Sequence, residues 1–218
     1  MKYFLMTIDS RKIGVIETFL PPYNLNFGDN SYIKVASGKP IDYPIEFPTF
    51  VLKGNTPVTD NIMHVIGGNF KVFSKKFFGS IKGLDLDFYQ KFPIRLFYRK
   101  KLLENYYAVY FPYDGNKYID WENSVFLNKN LNDFKDHGTE IQFSSFEEFK
   151  QLYQVRRPNG IIFSLRKLKF LPNCPHLFHL RYPVGANYFA SEVLKIRIEE
   201  NKLRGFNFLD SESELVKC

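Results

Sequence analysis

Cys174, His176 and His179, gathered in NCPHLFH, bring together a thiol and two imidazoles, the ligand types of zinc. The arrangement is poor for a metal. Pro175 interrupts it, no second Cys/His pair lies near it in sequence, and on a strand His176 and His179 point to opposite faces. Cys174 as a nucleophile would need a base from far away, His64 or His137. It carries no flanking nucleophile signature, so it reads as a small buried hydrophobe. Asp120 and Glu122 stand two apart in a stretch that reads as a strand, and so do Asp85 and Asp87. Carboxylates sharing one face are what hydrolases and metal-dependent nucleases use. They are also what the wet face of a half-exposed sheet carries, and Asp120 beside a turn can bond turn backbone instead. The chain has no glycine-rich phosphate loop, no G-x-S-x-G elbow and no H-E-x-x-H. The expectation is a protein without catalytic residues, metal or cofactor. A hydrolase built on Asp120 and Glu122 is kept as a third reading behind two binding functions.

The elements around these residues are short and mostly extended. Lys2 to Ile8 and Ile13 to Phe19 read as strands about a polar turn at Asp9-Ser10-Arg11-Lys12, and Pro21-Pro22 ends the second. Between Tyr23 and Lys53, proline, glycine and asparagine punctuate extended pieces at Tyr32 to Ala36 and Phe47 to Leu52. Tyr106 to Phe111 is a run of β-formers, Pro112-Tyr113-Asp114-Gly115 has turn chemistry, and Lys117 to Trp121 resumes a strand-like pattern. The stretch 106–121 therefore reads as a central hairpin. Pro93 to Tyr98, Thr139 to Phe143, Ile161 to Leu171 and Leu177 to Tyr182 read as further strands, with a polar loop from Asn128 to Gly138. The basic end of the longest, Arg166-Lys167-Leu168-Lys169, suits a guarded sheet edge.

Ser145 is placed to cap a helix from Phe146 to Tyr153, with Glu148 set for a capping box. Two other helices sit in similar surroundings. From Asn69 the pattern is strand, Ser74 as cap, a helix from Lys75 to Ile81, Gly83, then a strand from Leu84 to Phe88. From Asn187 it is strand, Ser191 as cap, a helix with Val193, Leu194, Ile196 and Ile198 mostly to one side, Gly205, then a strand from Phe206 to Leu209. This is either a degenerate strand-helix-strand internal repeat or two units converging on common capping grammar. The expected class is α+β, a mostly antiparallel sheet with about three short helices. Residues 1–60 form a β-rich N-terminal region, either a subdomain or part of the same domain as 61–218.

Composition and charge bound the function. Aromatic residues make up 18% of the chain, which suits either a partner-binding face or the amino-acid bias of A/T-rich coding sequence. Cys174 and Cys218 cannot make a disulfide framework, and the N-terminus has neither a signal-peptide core nor a membrane span. Free thiols in the cytoplasm are the expectation. Residues 61–101 hold nine basic and two acidic groups, an excess of seven that equals the net charge of the whole chain, +7. Its clusters are Lys71/Lys75/Lys76 and Arg95/Arg99/Lys100/Lys101. Such a segment is either a solvated face or a surface that steers an acidic partner.

A tyrosine-rich strand precedes the block Asp120-Trp121-Glu122-Asn123-Ser124, and Ser191, Leu194, Lys195, Gly205, Phe206 and Phe208 follow later in the chain. Together they resemble the immunity proteins of bacterial polymorphic-toxin systems, families eleven and forty-three, from about Phe70 to the end. The resemblance implies a cytoplasmic protein that binds and neutralises a cognate toxin domain, encoded nearby, by occlusion and without catalysis or cofactor. On that reading the partner-binding residues are Lys75, Lys76, Arg99, Lys100, Lys101, Tyr113, Asp114 and Trp121. Trp121 has a competing role as a core anchor. The alternative is a nucleic-acid-associated protein using the basic 61–101 segment. No membrane partner is expected.

Overall fold

The structure is a computed structural model that describes residues 1–7, 14–19, 31, 35, 38–63, 70–133, 135–181 and 187–212. In chain order its first elements are β1 (Tyr3–Thr7), β2 (Gly14–Phe19), β3 (Phe50–Leu52), β4 (Asn61–Met63), β5 (Phe70–Ser74) and α1 (Lys75–Ser80). There follow β6 (Gln90–Pro93), β7 (Leu96–Tyr98), β8 (Lys101–Leu103), β9 (Tyr106–Tyr110), β10 (Val125–Asn130) and β11 (Thr139–Ile141). The last are α2 (Phe146–Arg156), β12 (Ile161–Lys167), β13 (Leu177–Leu180), β14 (Asn187–Ser191), α3 (Glu192–Glu200) and β15 (Asn207–Asp210). The fold is α+β with mostly antiparallel pairing, as the alternation of short apolar runs and turn residues leads one to expect. No helix among the described residues is long and apolar enough to cross a membrane. Two compact units share the chain: one is Met1–Met6, Asp114–Glu192 and Phe208–Cys218, the other Thr7–Tyr113 and Val193–Asn207.

The Thr7–Tyr113 unit is organised by one long bent hairpin. β6 and β7 are halves of a strand bent at Ile94-Arg95, and β8 and β9 are halves of the returning strand bent at Glu104-Asn105. They pair from Gln90↔Tyr110 to Tyr98↔Lys101. On its far side β9 pairs with β5, which is followed by β4, β2 and β3, and β3 pairs back onto β7. The row returns to the hairpin it started from, so six staves close into a small barrel. Among these staves β2–β4 and β3–β7 run parallel. Alternation along the staves puts Phe50, Ile62, Phe70, Val72, Leu96 and Tyr110 in one buried cluster. Tyr106 belongs to it too; burial, then the Asp60 carboxylate, pushes its phenol up to about 12 while the hydroxyl donates to the Thr59 carbonyl.

Helices α1 and α3 belong to this unit and are tied together by polar contacts. Ser74 caps α1, accepting from the Phe77 N–H, and its hydroxyl donates to Asp60, whose other carboxylate oxygen accepts from the Arg204 N–H. Arg197 donates to the Lys82 carbonyl just beyond the end of α1. Phe73, Phe77 and Phe206 stack nearly parallel. The chain passes here through Gly205 at φ +92°, where a Cβ would stand 2.5 Å from the Asn61 carbonyl oxygen, so only glycine fits.

In the other unit β13-β14-β1-β15 form one sheet and β11-β10-β12 another. Their core holds Trp121, Phe126, Phe143, Phe149 and Phe163, with Phe149 supplied by α2. Ser145 caps α2 as its sequence implies. The box closes one residue further out: the Glu148 carboxylate accepts from the Ser144 N–H and hydroxyl, which hold it below the usual carboxylate range.

Several expectations need correction. The stretch 106–121 is not a hairpin, because β9 takes β5 and β6 as partners and the chain enters the other unit after Tyr113. Lys117 to Trp121 is not a strand; a 3₁₀ turn spans Gly115–Tyr118, and Ile119 makes one bridge to Phe170. Gly115 permits this, since a Cβ there would lie 2.8 Å from the Phe178 ring and 2.9 Å from the His179 carbonyl. Leu84 to Phe88 carries no strand, and β10 occupies part of the expected 128–138 loop. Of the four apolar residues of α3, Leu194 and Ile198 are buried, one turn apart, while Val193 and Ile196 are exposed. Ser191 immediately precedes α3 and lies 2.7 Å from Nδ1 of His176. β2 and β3 are staves of the same barrel as β4 to β9, whereas most of β1 belongs to the other unit. The 9–12 turn, Pro21-Pro22, the piece at 32–36 apart from Val35, His64, Asn69 and Cys218 lie outside the described residues.

Candidate interaction surface

Among the described residues, those singled out for chemistry do not converge. Cys174 is buried, its thiol donates to the Leu171 carbonyl at 2.9 Å, and burial pushes it up to about 11. His176 meets Ser191, and the ring of His179 lies 4.9 Å from that of Tyr188. Among the described residues no three His, Cys, Asp or Glu side chains come together to hold a metal. Both carboxylate oxygens of Asp120 accept from the Asn123 side-chain amide, and one accepts also from the Asn123 N–H, an Asx-type turn. Glu122 is exposed beside it, and one oxygen of the buried Asp87 carboxylate accepts from the Phe88 N–H.

The Asp120 to Ser124 block builds structure. Trp121 is only 8% exposed, stacks on Phe126, and donates its indole N–H to the Asn116 carbonyl. It is the core anchor. Ser124 is fully buried; its hydroxyl donates to the Asp120 carbonyl at 2.7 Å and accepts from the Lys169 N–H at 3.1 Å, tying the turn to the exit of β12. Asp114 accepts from the Arg181 N–H.

The remaining candidates are surface groups of the barrel unit. Lys75 and Lys76 are exposed on the first turn of α1, where the Lys75 N–H donates to the Asn105 carbonyl. Tyr113 is 40% exposed and pairs at 5.9 Å with Phe88, which is 49% exposed. Phe88 escaped the sequence reading because LDLDF alternates like a strand and hides it as a strand residue. Nearby backbone is pinned: the Gly38 N–H donates to the Pro112 carbonyl, the Tyr110 hydroxyl donates to the Lys39 carbonyl, and the Gln90 amide bonds both ways with Ile41.

Arg99, Lys100 and Lys101 come together at the tip of the β7–β8 hairpin. With Tyr98 opposite Lys101, Arg99 and Lys100 form a two-residue turn at φ +48° and +66°. That is the pattern of a type I′ turn, normally made by asparagine and glycine. Arg99 lies 5.0 Å over the Tyr98 ring and donates through Nε to the Gly54 carbonyl at 3.1 Å. Lys100 and Lys101 meet no carboxylate among the described residues, and Leu102 next to them is 47% exposed. Other cations of the basic segment are spent elsewhere: burial pushes the Lys71 ammonium below its usual range, and Lys91 lies over the rings of Phe78 and Tyr107. Compared with known proteins, the chain matches no protein-family model and no curated protein.

Proposed function

We propose that this chain is an immunity-type binding protein, which occupies a toxin domain and neutralises it by occlusion with no chemistry of its own. One observation carries the reading: the surface features left over after folding are of binding type. They are a cation-tipped hairpin tied through Arg99 to the Gly54 carbonyl and an aromatic pair on pinned backbone, whereas Cys174 and Asp120 are committed to local structure. The D-W-E-N-S block and the later Ser191 to Phe208 segment support it as the parts of the chain that resemble such proteins.

The test is co-expression with the product of the adjacent open reading frame. Growth arrest caused by that product, relieved only when this chain is present and accompanied by a co-eluting complex, supports occlusion. Arrest that persists, with no complex formed, refutes it. A nucleic-acid partner is the second reading, favoured by the charge excess of 61–101, and steeply salt-dependent retention on duplex DNA would support it.

A further inference from the structure

We infer that the tip of the β7–β8 hairpin is a built contact element, and that what it contacts is an acidic pocket on a protein partner. The partner's identity rests on the immunity reading; the element itself rests on geometry.

The tip breaks a local rule that the chain had every chance to obey. A two-residue turn with both central residues at positive φ is comfortable for Asn-Gly and strained for residues bearing long side chains. Here Arg99 and Lys100 adopt it in succession, at φ +48° and +66°. Such strain persists when the surroundings impose it, and it gathers at functional sites. The pairing of Tyr98 with Lys101 leaves only these two residues to turn the chain, and the Gly54 carbonyl ties the turn down, accepting from Arg99 Nε at 3.1 Å and from the Tyr98 hydroxyl at 3.4 Å. What the strain delivers is two cations at the extreme of a hairpin, followed directly by Lys101, with no neighbouring carboxylate to neutralise Lys100 or Lys101 among the described residues.

Its shape favours a protein over a nucleic acid. Single-stranded nucleic acid needs free aromatic faces along a basic track. At the tip the nearest ring, Tyr98, is already covered by the Arg99 guanidinium. The cations make a point, and Leu102 beside them, 47% exposed, offers apolar surface of the kind found in interface cores. Glu104 and its exposed carboxylate stand at the other end of β8, which would repel a polyanion running along the strand. β8 itself is three residues long, too short an edge to template a partner strand, so contact is made by side chains. A point of positive charge with an apolar shoulder fits a pocket lined by carboxylates.

The experiment compares wild type with Arg99→Asn/Lys100→Gly, which installs the turn's preferred residues, and with Lys135→Asn/Lys150→Gln, which removes two exposed charges from the other unit. Immobilised poly-glutamate and random-sequence duplex DNA are the probes, at low salt, beside co-expression with the adjacent-gene product. The expected result is a hairpin variant whose thermal midpoint is unchanged or raised and whose association with poly-glutamate falls about tenfold, with the control variant close to wild type. A lowered midpoint for the hairpin variant would show a turn that prefers Arg-Lys and overturn the argument from strain. Equal losses in both variants would overturn it in favour of bulk charge, and a larger loss on DNA than on poly-glutamate would overturn it in favour of nucleic acid. The two readings fail separately. If wild type does not relieve the arrest while the poly-glutamate result holds, the immunity reading falls and the tip stands; if both proteins relieve it with equal association rates, the tip falls and the reading stands.

Discussion

Replacing Ser124 by alanine removes one oxygen atom, its two shorter hydrogen bonds and a longer approach to the Lys169 carbonyl at 3.3 Å. The hydroxyl donates to the Asp120 carbonyl at 2.7 Å and accepts from the Lys169 N–H at 3.1 Å, within a fully buried residue. Each bond contributes about 1 kcal/mol net, so their loss costs about 2 kcal/mol, and more where the Lys169 N–H finds no substitute partner. With a urea slope of about 2 kcal/mol per molar for a chain of this class, the midpoint should fall by about 1 M. The readout is convenient: Trp121 is the single tryptophan and stacks on Phe126 in the same core, so its fluorescence follows this unit. Glu122→Ala, two residues away and exposed, should stay within about 0.5 kcal/mol of wild type. A Ser124→Ala cost below that same margin, at an unchanged slope, would refute the assignment of the D-W-E-N-S block as a turn tied to β12.

Three further outcomes are expected. Burial raises the Cys174 thiol to about 11, above the usual cysteine value of about 8.5, so its contribution to stability is complete below the lower value and fades as pH climbs through the higher. In a Cys218→Ser background at pH 8, native Cys174 should therefore react with a thiol reagent on the order of a hundredfold more slowly than in urea, and equal rates would contradict its burial. Gly205→Ala adds a methyl 2.5 Å from the Asn61 carbonyl oxygen at φ +92° and should cost about 2–4 kcal/mol by thermal unfolding; a cost under about 1 would refute the close approach. Lys75→Glu with Lys76→Glu should stabilise by about 0.5–1 kcal/mol, because the first turn of α1 has no acidic residue to meet its dipole, and a loss of stability on urea unfolding would refute this.

Elements whose signal is local were legible in the sequence. Ser74 and Ser145 cap their helices because the side chain and the N–H it accepts from lie three residues apart, and the patterns of β1, β9 and β13 are set by their own residues. What escaped depends on residues far away. Nothing in Pro112 to Trp121 shows that the chain leaves one unit there and that Gly115 must slide against Phe178 and His179, more than sixty positions on. Barrel closure is equally silent, because the pairing of β3 with β7 joins residues such as Phe50 and Leu96 that carry no mark of each other. The face of α3 was misjudged for the same reason: Val193 and Ile196 are as apolar as Leu194 and Ile198, and only the packed neighbours decide which pair turns inward.

The candidate surface was half legible, and the illegible half is the informative one. Charge counting found Arg99, Lys100 and Lys101, because net charge needs no geometry. Nothing marked Arg99-Lys100 as a turn, since the residues that announce one are missing. Much of the chain agrees with itself across levels: caps are serines, left-handed exits such as Gly83, Gly160 and Gly205 are glycines, and the indole N–H is satisfied, although Asn105 and Lys202, just past α3, are single left-handed residues with side chains. Against that background two cations in consecutive left-handed positions are a departure, the first of them held by the Gly54 carbonyl. Departures of this kind gather at functional or strained sites. The same logic demotes Trp121 and promotes the hairpin tip. A residue that satisfies every rule of the core explains the fold, whereas two consecutive cations that break a turn rule are what the proposed contact accounts for.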